Sequence, residues 1–519
     1  MLGCGANLAA PSSSLPPAHP SAPISARAGR VQEQVVAEPL ARSADAPLAD
    51  RLRSTVIAQY WFASLVACLT VAGGVLRFTK LGQSYWYDEA VTVGLVRSSL
   101  GSMIHALPGS ESTPPLYYGI AWVWSGIFGT SEVALRSLSA LLGAAAIPVA
   151  AAAGREFFSK SAGAIAGALV AASPLLIWYS QEARAYSLYV VLSALSLLFF
   201  GRALRSPSRR SLSLWALVSA LAIWTAYFAG FLVAAEALVL FLGRPSRRYM
   251  TLPFLGLACS TAVLLPLVYK QARNGRNGWI AETPLHSRLE HGASWFLGFP
   301  PHLWWVATAV GLLVLGTIAF ASRRDRRVML MLIGLAGAAV VLPLATRAVG
   351  RDYWLYRNVI DAWVPLAIAL AGGVVSRGRA GLRGPVVLGA LALAAVALLA
   401  LKSTQLVSDP HKRADWRGLA ECLGAPEPGR VFLVAPSFDG AVLKLYRPNV
   451  RAPQGGDVRA SEIDLIGDRK SVRVPSGFHS VGRVCTQTIA VHRLRAPRPV
   501  VVPGHVHGAS VLVDARATT

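Results

Sequence analysis

The chain is poor in charge, and poorer still in acid. Only 15% of its 519 residues are Asp, Glu, Lys or Arg, against about 25% in soluble domains, which excludes a water-soluble globular fold over most of the length. Acidic residues number 26 against 50 Lys and Arg, a formal net charge of +24. In a soluble protein that excess would point to nucleic acid. Here the basic residues cluster in short loops between apolar stretches, where membrane orientation and anionic lipid headgroups account for them, so nucleic acid is set aside as a partner. Cysteine is scarce at five, and no zinc spacing is present. Cys68 and Cys259 lie in apolar segments and read as packing residues. Cys422 and Cys485 lie in a polar C-terminal part and are free to pair if that part faces an oxidising compartment. Residues 1–50 contain no aromatic side chain and are rich in Ala, Pro and Ser; they read as a disordered tail. No cleavable signal peptide is expected, because the first apolar run begins only near Thr55.

Apolar residues, by contrast, make up 54% of the chain, and many of its 14 tryptophans stand beside apolar runs, as membrane-interface aromatics do. The apolar segments are 56–78, 116–130, 136–153, 161–178, 184–201, 212–226, 229–243, 251–269, 303–321, 328–346, 360–376 and 385–402. Basic loops run from Arg202 to Arg210, Arg244 to Arg248, Arg323 to Arg327 and Arg377 to Arg383; Arg155 and Lys160 mark another, and Arg42, Arg51 and Arg53 precede the first segment. The positive-inside rule puts all of them in the cytoplasm. Parity then requires that one of 116–130 and 136–153 does not cross. The shorter, 116–130, gives about 22 Å of helix against a hydrocarbon core of about 30 Å, and is expected at the outer interface. The stretch 212–243 must be a hairpin, turning at Tyr227 to Gly230.

The expected fold is an all-α polytopic membrane protein of about eleven transmembrane helices plus interfacial ones, with a small C-terminal α/β domain. The divisions are a cytoplasmic tail at 1–50, a membrane domain at 51–402 and an extracytoplasmic domain at 403–519, the whole in the cytoplasmic (inner) membrane with the N-terminus inside. In the last domain Val431 to Ala435 reads as a buried strand, Ala441 to Tyr446 as a helix, and Val481 to His492 as a further strand-like run.

Four features of the outer face can carry chemistry. The first is Tyr85 to Ala90, YWYDEA, ahead of an amphipathic helix expected over 89–106. Asp88 reads there either as an N-cap, with Glu89 favouring the helix dipole, or as a general base held at the membrane surface. The second is Thr113 to Tyr118, TPPLYY, in which Pro114 and Pro115 form a rigid connector or wall a site. The third is Trp178 to Tyr189, where Glu182 and Arg184 either cap a helix and snorkel to the headgroups or supply an acid and a phosphate-binding cation. The fourth is an excess of outer cations, Lys270, Arg273, Arg276, Arg347, Arg351 and Arg357. Headgroup contacts account for these, and so does a lipid-linked phosphate substrate.

In this order the features resemble the GT-C glycosyltransferase superfamily over about residues 56–402, above all the bacterial branch related to protein O-mannosyltransferases and lipid A aminoarabinose transferases (glycosyltransferase family 39-like). Asp88-Glu89 matches its first-loop acidic motif. Thr113-Pro114-Pro115-Leu116 is similar to its His-Pro-Pro-Leu or Lys-Pro-Pro element, with Thr113 in place of the usual basic residue. Gln181-Glu182-Ala183-Arg184 is similar to the QEAR-like second outer loop, and Tyr356-Arg357-Asn358 resembles the late loop whose Arg contacts the donor phosphate. The resemblance implies inverting transfer of mannose or a similar sugar from a polyprenyl-phosphate donor to a protein, glycolipid or cell-wall acceptor. Asp88 and Glu89 would be the catalytic pair, with Asp88 as base. Arg357 and Arg184, then Lys270 and Arg273, would hold the leaving phosphate, and Glu182, Tyr356, Pro114, Pro115 and Tyr118 would complete the substrate site. Family members differ in metal dependence; a monophosphate leaving group beside arginines requires no cofactor, and a divalent metal stays open. Asp415-Trp416-Arg417 recurs in related chains with no catalytic role attached.

Two other classes compete with an enzyme. A transporter or flippase of a lipid-linked sugar would place ionisable groups at mid-membrane and show internal repeats; here Glu236 is the main intramembrane charge and no repeat is evident. A non-catalytic scaffold leaves the two acidic outer sites without a purpose. An enzyme requires Asp88, Glu182 and Arg357 to meet at one outer cavity.

Overall fold

The computed structural model describes residues 48–243, 247–300, 302, 304–376, 383–409, 412–454, 456–467, 472–484 and 488–517. Residues 1–47 of the expected tail, most of the basic loop from Arg377 to Arg383, Arg244 and Cys485 lie outside them, while 48–50 are helical. The chain divides into Met1–Gln59 and Tyr60–Thr519; of the first part only 48–59, the opening turns of the helix Leu48–Phe78, are described.

Among the described residues seven helices are long and apolar enough to cross a membrane, or eight if the bent pair Lys160–Ala172 and Pro174–Ser180 is one span. The sequence expectation of about eleven is larger by three segments. These form the helices Arg209–Thr225, Ala229–Leu242 and Trp304–Phe320, of 17, 14 and 17 residues. At 1.5 Å per residue they reach roughly 21–26 Å, short of a 30 Å core. The first two are separated by a break at 226–228 rather than 227–230. The segment expected not to cross is indeed a short helix, Leu116–Phe128, of 13 residues.

Small residues bring the helices of the membrane part together, as expected where lipid offers no hydrophobic drive for association. A Cβ on Gly163 would overlap the Ala151 carbonyl, and one on Gly372 would overlap the Phe158 ring. The bent pair matters most for the site. Pro174 has no N–H to offer the carbonyl four residues back, so the helix ends at Ala172 and bends by 58°. The freed carbonyls are all taken. The wholly buried Arg77 donates to Val170 at 2.9 Å and Ala171 at 3.2 Å, and Ser403 donates to Ala172 at 2.8 Å. Unmet carbonyls would be costly at that depth, so this bend, and the loop 181–185 that it presents, are fixed.

The amphipathic stretch expected as one helix over 89–106 is two, Tyr87–Val96 and Leu100–Ser110. Ser99 starts the second by accepting the Ser102 N–H, which breaks the run. The first is capped from Trp86, so Asp88 is not its N-cap; it stands in the first turn, and Glu89 accepts the Trp86 N–H at 3.3 Å.

The C-terminal domain is a six-stranded sheet of β1 (Arg430–Ala435), β2 (Val450–Arg451), β3 (Val458–Gly467), β4 (His479–Val484), β5 (Val491–Val502) and β6 (Ser510–Asp514). Its order is β2-β6-β1-β3-β5-β4, with β1 and β3 parallel and the other pairs antiparallel. β1 is buried on both faces, which is why it reads as an unbroken apolar run: Phe432 and Val434 pack under Trp416, Val442 and Leu443, while Val431 and Leu433 pack with Ile463, Leu465 and Val511. The helix Gly440–Tyr446 follows as expected, but the single run 481–492 belongs to two strands, β4 and β5. Cys422 is disulfide-bonded.

Candidate functional site

The loop 79–86 and the helix after it are held by one buried ion pair. Arg136, in the helix Glu132–Phe157, points into the loop and donates to the carbonyls of Leu81 at 2.8 Å, Gln83 at 2.5 Å and Ser84 at 3.0 Å. Its remaining donors take Glu89 at 2.7 and 2.5 Å. Glu89 also accepts the Ala183 N–H at 2.8 Å, tying the first motif to the loop 181–185. Gln181 anchors that loop from the other side, donating to Leu76 and Thr79 at 2.9 and 2.8 Å. Glu89 is fully buried and does not line the cavity, so the structure places this expected catalytic residue in the frame that holds the first motif rather than at the cavity surface.

Between this frame and the C-terminal domain lies a cavity of about 1360 Å³. Asp88 lines it, with its carboxylate 3.4 Å from Arg357. Arg184 lines it too, locked against Glu111 at 2.5 and 3.1 Å, the Tyr118 hydroxyl at 3.1 Å and the Asp88 carbonyl at 3.2 Å. Arg276 completes the basic wall and donates to the Tyr87 hydroxyl at 2.8 Å. Aromatic rings fill the intervals, among them Trp86, Tyr186, Tyr227 and Trp279, whose face lies 5.7 Å from the Arg357 guanidinium. The arrangement offers three guanidinium groups, one of them paired with Glu111, with the carboxyls of Asp88 and Asp439 and apolar rings around them, the lining of a small-molecule site.

The other expected residues lie elsewhere. Lys270 and Arg273 are exposed and do not line the cavity; their helix, Leu265–Arg273, instead presents Gln271, which donates to the Thr113 carbonyl at 3.1 Å and accepts the Tyr227 hydroxyl at 2.7 Å. Tyr356 stacks on Trp295 at 5.8 Å, behind Arg357. Pro114 and Pro115 sit behind the wall, which their neighbours Ser112 and Thr113 form, and Tyr118 acts through Arg184. Glu182 is buried beneath the cavity, 3.6 Å from Arg413, so of the three residues required to meet, only Asp88 and Arg357 share the cavity. Among the described residues no group of three His, Cys, Asp or Glu gathers as metal ligands.

Residues 112–269 match the family described as dolichyl-phosphate-mannose-protein mannosyltransferase. No curated protein matches the chain. Among solved structures, ArnT from Cupriavidus metallidurans in the apo state superposes with a TM-score of 0.51 at 14% identity, over 84% of this chain and 98% of that one. The chain has the GT-C fold. The same ArnT bound to undecaprenyl phosphate gives a TM-score of 0.47 at 17% identity, over 75% and 85%. The archaeal oligosaccharyltransferase AglB from Archaeoglobus fulgidus, in complex with an inhibitory peptide and a dolichol-phosphate, gives 0.43 at 14%, over 70% and 58%. The fold assignment rests on the first of the three.

Within this GT-C fold, Glu111 was not anticipated as a site component, and Arg276 was named only among the outer cations. Glu111 stands two residues before the Thr113-Pro114-Pro115 element and is the acid nearest in sequence to it, which was the available signal. Burial would raise the Glu89 pKa, but Arg136 reverses this and holds the carboxyl below its ordinary range. Glu182 lacks such a partner on one oxygen, and burial, offset in part by Arg413, pushes it up to about 7. A carboxyl that keeps its proton longer when folded makes stability fall as pH rises from the ordinary 4.5 to about 7 and leaves it level above. Glu182→Gln is expected to remove that slope, read as the thermal unfolding midpoint of the full chain against pH; an unchanged slope would assign it to another group.

Proposed function

We propose that the chain is an inverting glycosyltransferase that moves a sugar, mannose or a similar hexose or pentose, from a polyprenyl-phosphate donor to an extracytoplasmic protein, glycolipid or cell-wall acceptor. The observation that carries this reading is the Asp88 carboxylate beside Arg357 at the edge of a cavity with two further arginines. The matching family's description names a lipid-phosphate sugar donor, and one of the similar structures holds undecaprenyl phosphate. In this mechanism the donor phosphate seats on Arg357 and Arg276, with Arg184 fixed behind it by Glu111. An acceptor hydroxyl attacks the anomeric carbon, the bond from that carbon to the phosphate oxygen breaks, polyprenyl phosphate leaves with the electron pair, and the hydroxyl proton passes to Asp88. A phosphate on Arg357 competes with Asp88 for the same guanidinium, so donor binding itself would free the base.

The same reading places the cavity outside the cytoplasmic membrane and the N-terminus inside. The cavity lies by Tyr186, at the opposite end of its helix from Arg202 and Arg205, and basic residues favour the cytoplasmic end. The disulfide at Cys422 suits an oxidising compartment. The test is transfer of radiolabelled sugar from a panel of polyprenyl-phosphate sugars by membranes holding the wild type or Arg357→Ala at matched expression. The wild type is expected to transfer one sugar, and the variant to lose roughly 10²–10³-fold in rate, as when a preorganised anion donor is removed. No transfer by the wild type from any donor would favour a transporter instead.

A further inference from the structure

The cavity is closed on one side by the C-terminal domain, and its two walls differ in charge. All three arginines, Arg184, Arg276 and Arg357, come from the membrane part. Among the described lining residues the C-terminal wall brings neither Arg nor Lys; besides His492 it brings a carboxyl, Asp439, and a half-exposed ring, Phe438. The domain is docked firmly enough for that wall to be a fixed surface. The Tyr446 hydroxyl accepts the Tyr85 N–H at 2.7 Å and donates to Glu132 at 2.6 Å, and Arg417 reaches Glu132 at 2.5 Å.

The wall is built where open α/β sheets present ligands, at the carboxyl ends of parallel strands. Ala435 at the end of β1 pairs with Gly467 at the end of β3, and both line the cavity. Gly467 has φ of +100°, and a Cβ there would overlap the Ala435 carbonyl, so this surface is bare backbone beside the ring and the carboxyl. Phe438 tilts against Tyr87, with ring centroids 4.9 Å apart, and Tyr87 in turn receives Arg276. A continuous path thus joins the C-terminal wall to the phosphate-binding arginines.

We propose that this wall is the acceptor site and that the acceptor is a saccharide, seated with a sugar face on Phe438 and its hydroxyls donating to Asp439. The assignment rests on the transferase reading above. A phosphate-bearing donor is repelled by Asp439 and drawn to the opposite arginines, which leaves this wall to the neutral, hydroxyl-rich substrate. An ionised carboxylate only accepts hydrogen bonds, through two oxygens, and neighbouring sugar hydroxyls match it. A peptide held as an added strand needs an open sheet edge. The edge strands are β2 and β4, and none of their described residues lines the cavity.

The test uses the full chain in lipid nanodiscs with the polyprenyl-phosphate sugar that the wild type consumes. Acceptors are oligosaccharides of two to four sugars in one arm and Ser/Thr-containing peptides in the other. Phe438→Ala and Asp439→Asn are each expected to raise the KM for the oligosaccharide about tenfold while leaving the donor KM within about twofold. Phe438→Trp should keep the wild-type value. Val501→Ala, on β5 and away from the cavity, is the control. Should Phe438→Ala not reach the membrane folded, Asp439→Asn carries the comparison. Unchanged oligosaccharide KM in folded variants, an equal rise in donor and acceptor KM, or a wild type that modifies peptides alone would overturn the assignment while leaving the transferase reading standing. A wild type that transfers nothing from any donor overturns both.

Discussion

Asp88→Asn is expected to lower the turnover number by roughly 10²–10⁴-fold, the usual contribution of a positioned general base, with no rise in the donor KM. Asparagine keeps the size of the side chain. The loop around it is held by main-chain and neighbouring contacts that the change leaves alone: Arg184 binds the Asp88 carbonyl, and Glu89 binds Arg136, Trp86 and Ala183. On the proposed mechanism, what is lost is the site that would receive the acceptor proton, together with the charge that pairs with Arg357. Removing the competitor leaves Arg357 fully available to the donor phosphate, so the donor KM stays level or falls while turnover collapses. A variant damaged merely in folding would lose both together, and less protein would be recovered. Asp88→Glu moves the carboxylate by one methylene and should regain part of the rate. Full turnover in Asp88→Asn at matched expression would remove Asp88 from proton transfer and point to water or a substrate group as the base.

The residues facing the cavity were more legible in the sequence than those supporting them. Asp88, Arg184 and Arg357 sit in short polar motifs between apolar runs, and the alternation of charge and hydrophobicity placed all three at one end of the helices. Their partners were hidden because they occur in different local settings. Arg136 stands among Leu135, Ser137 and Leu138 and reads as a membrane-edge arginine; only the fold brings it to Glu89, 47 residues away. Arg276 and Lys270 look alike in sequence, yet the helix Leu265–Arg273 ends between them, so that one faces the cavity and the other does not. Fewer helices than apolar runs are long enough to cross by length and composition, for a related reason. An apolar run records what is buried or in lipid, but not how many of its residues are helical, and the hairpin at 226–228 takes its turn from the apolar run itself. The bend at Pro174 lies inside what reads in the sequence as one segment, 161–178, and its use, to hold out the loop that meets Glu89, was not legible.

Arg136→Ala is expected to be the most damaging single change outside the cavity, at about 3–5 kcal/mol, the range for breaking one partner out of a buried ion pair. The substitution leaves the Glu89 carboxylate at zero exposure, with Arg413 at 3.7 Å as its nearest remaining cation. It also strips the carbonyls of Leu81, Gln83 and Ser84 of their donor. Arg136→Lys should recover little, since one ammonium cannot serve a carboxylate and three carbonyls at once. The loop 79–86 would lose its register, and with it Asp88 and the docking of Tyr446 on Tyr85, so activity should fall along with stability. The check is the thermal unfolding midpoint of purified full-length protein, read with Glu89→Gln and the Glu89→Gln/Arg136→Met double variant. If the pair acts as argued, the double variant is less damaged than the sum of the two single changes, because neither charge is then stranded. Additive losses would mean that Arg136 holds the loop through the carbonyls alone and that Glu89 is an independent anchor of Ala183.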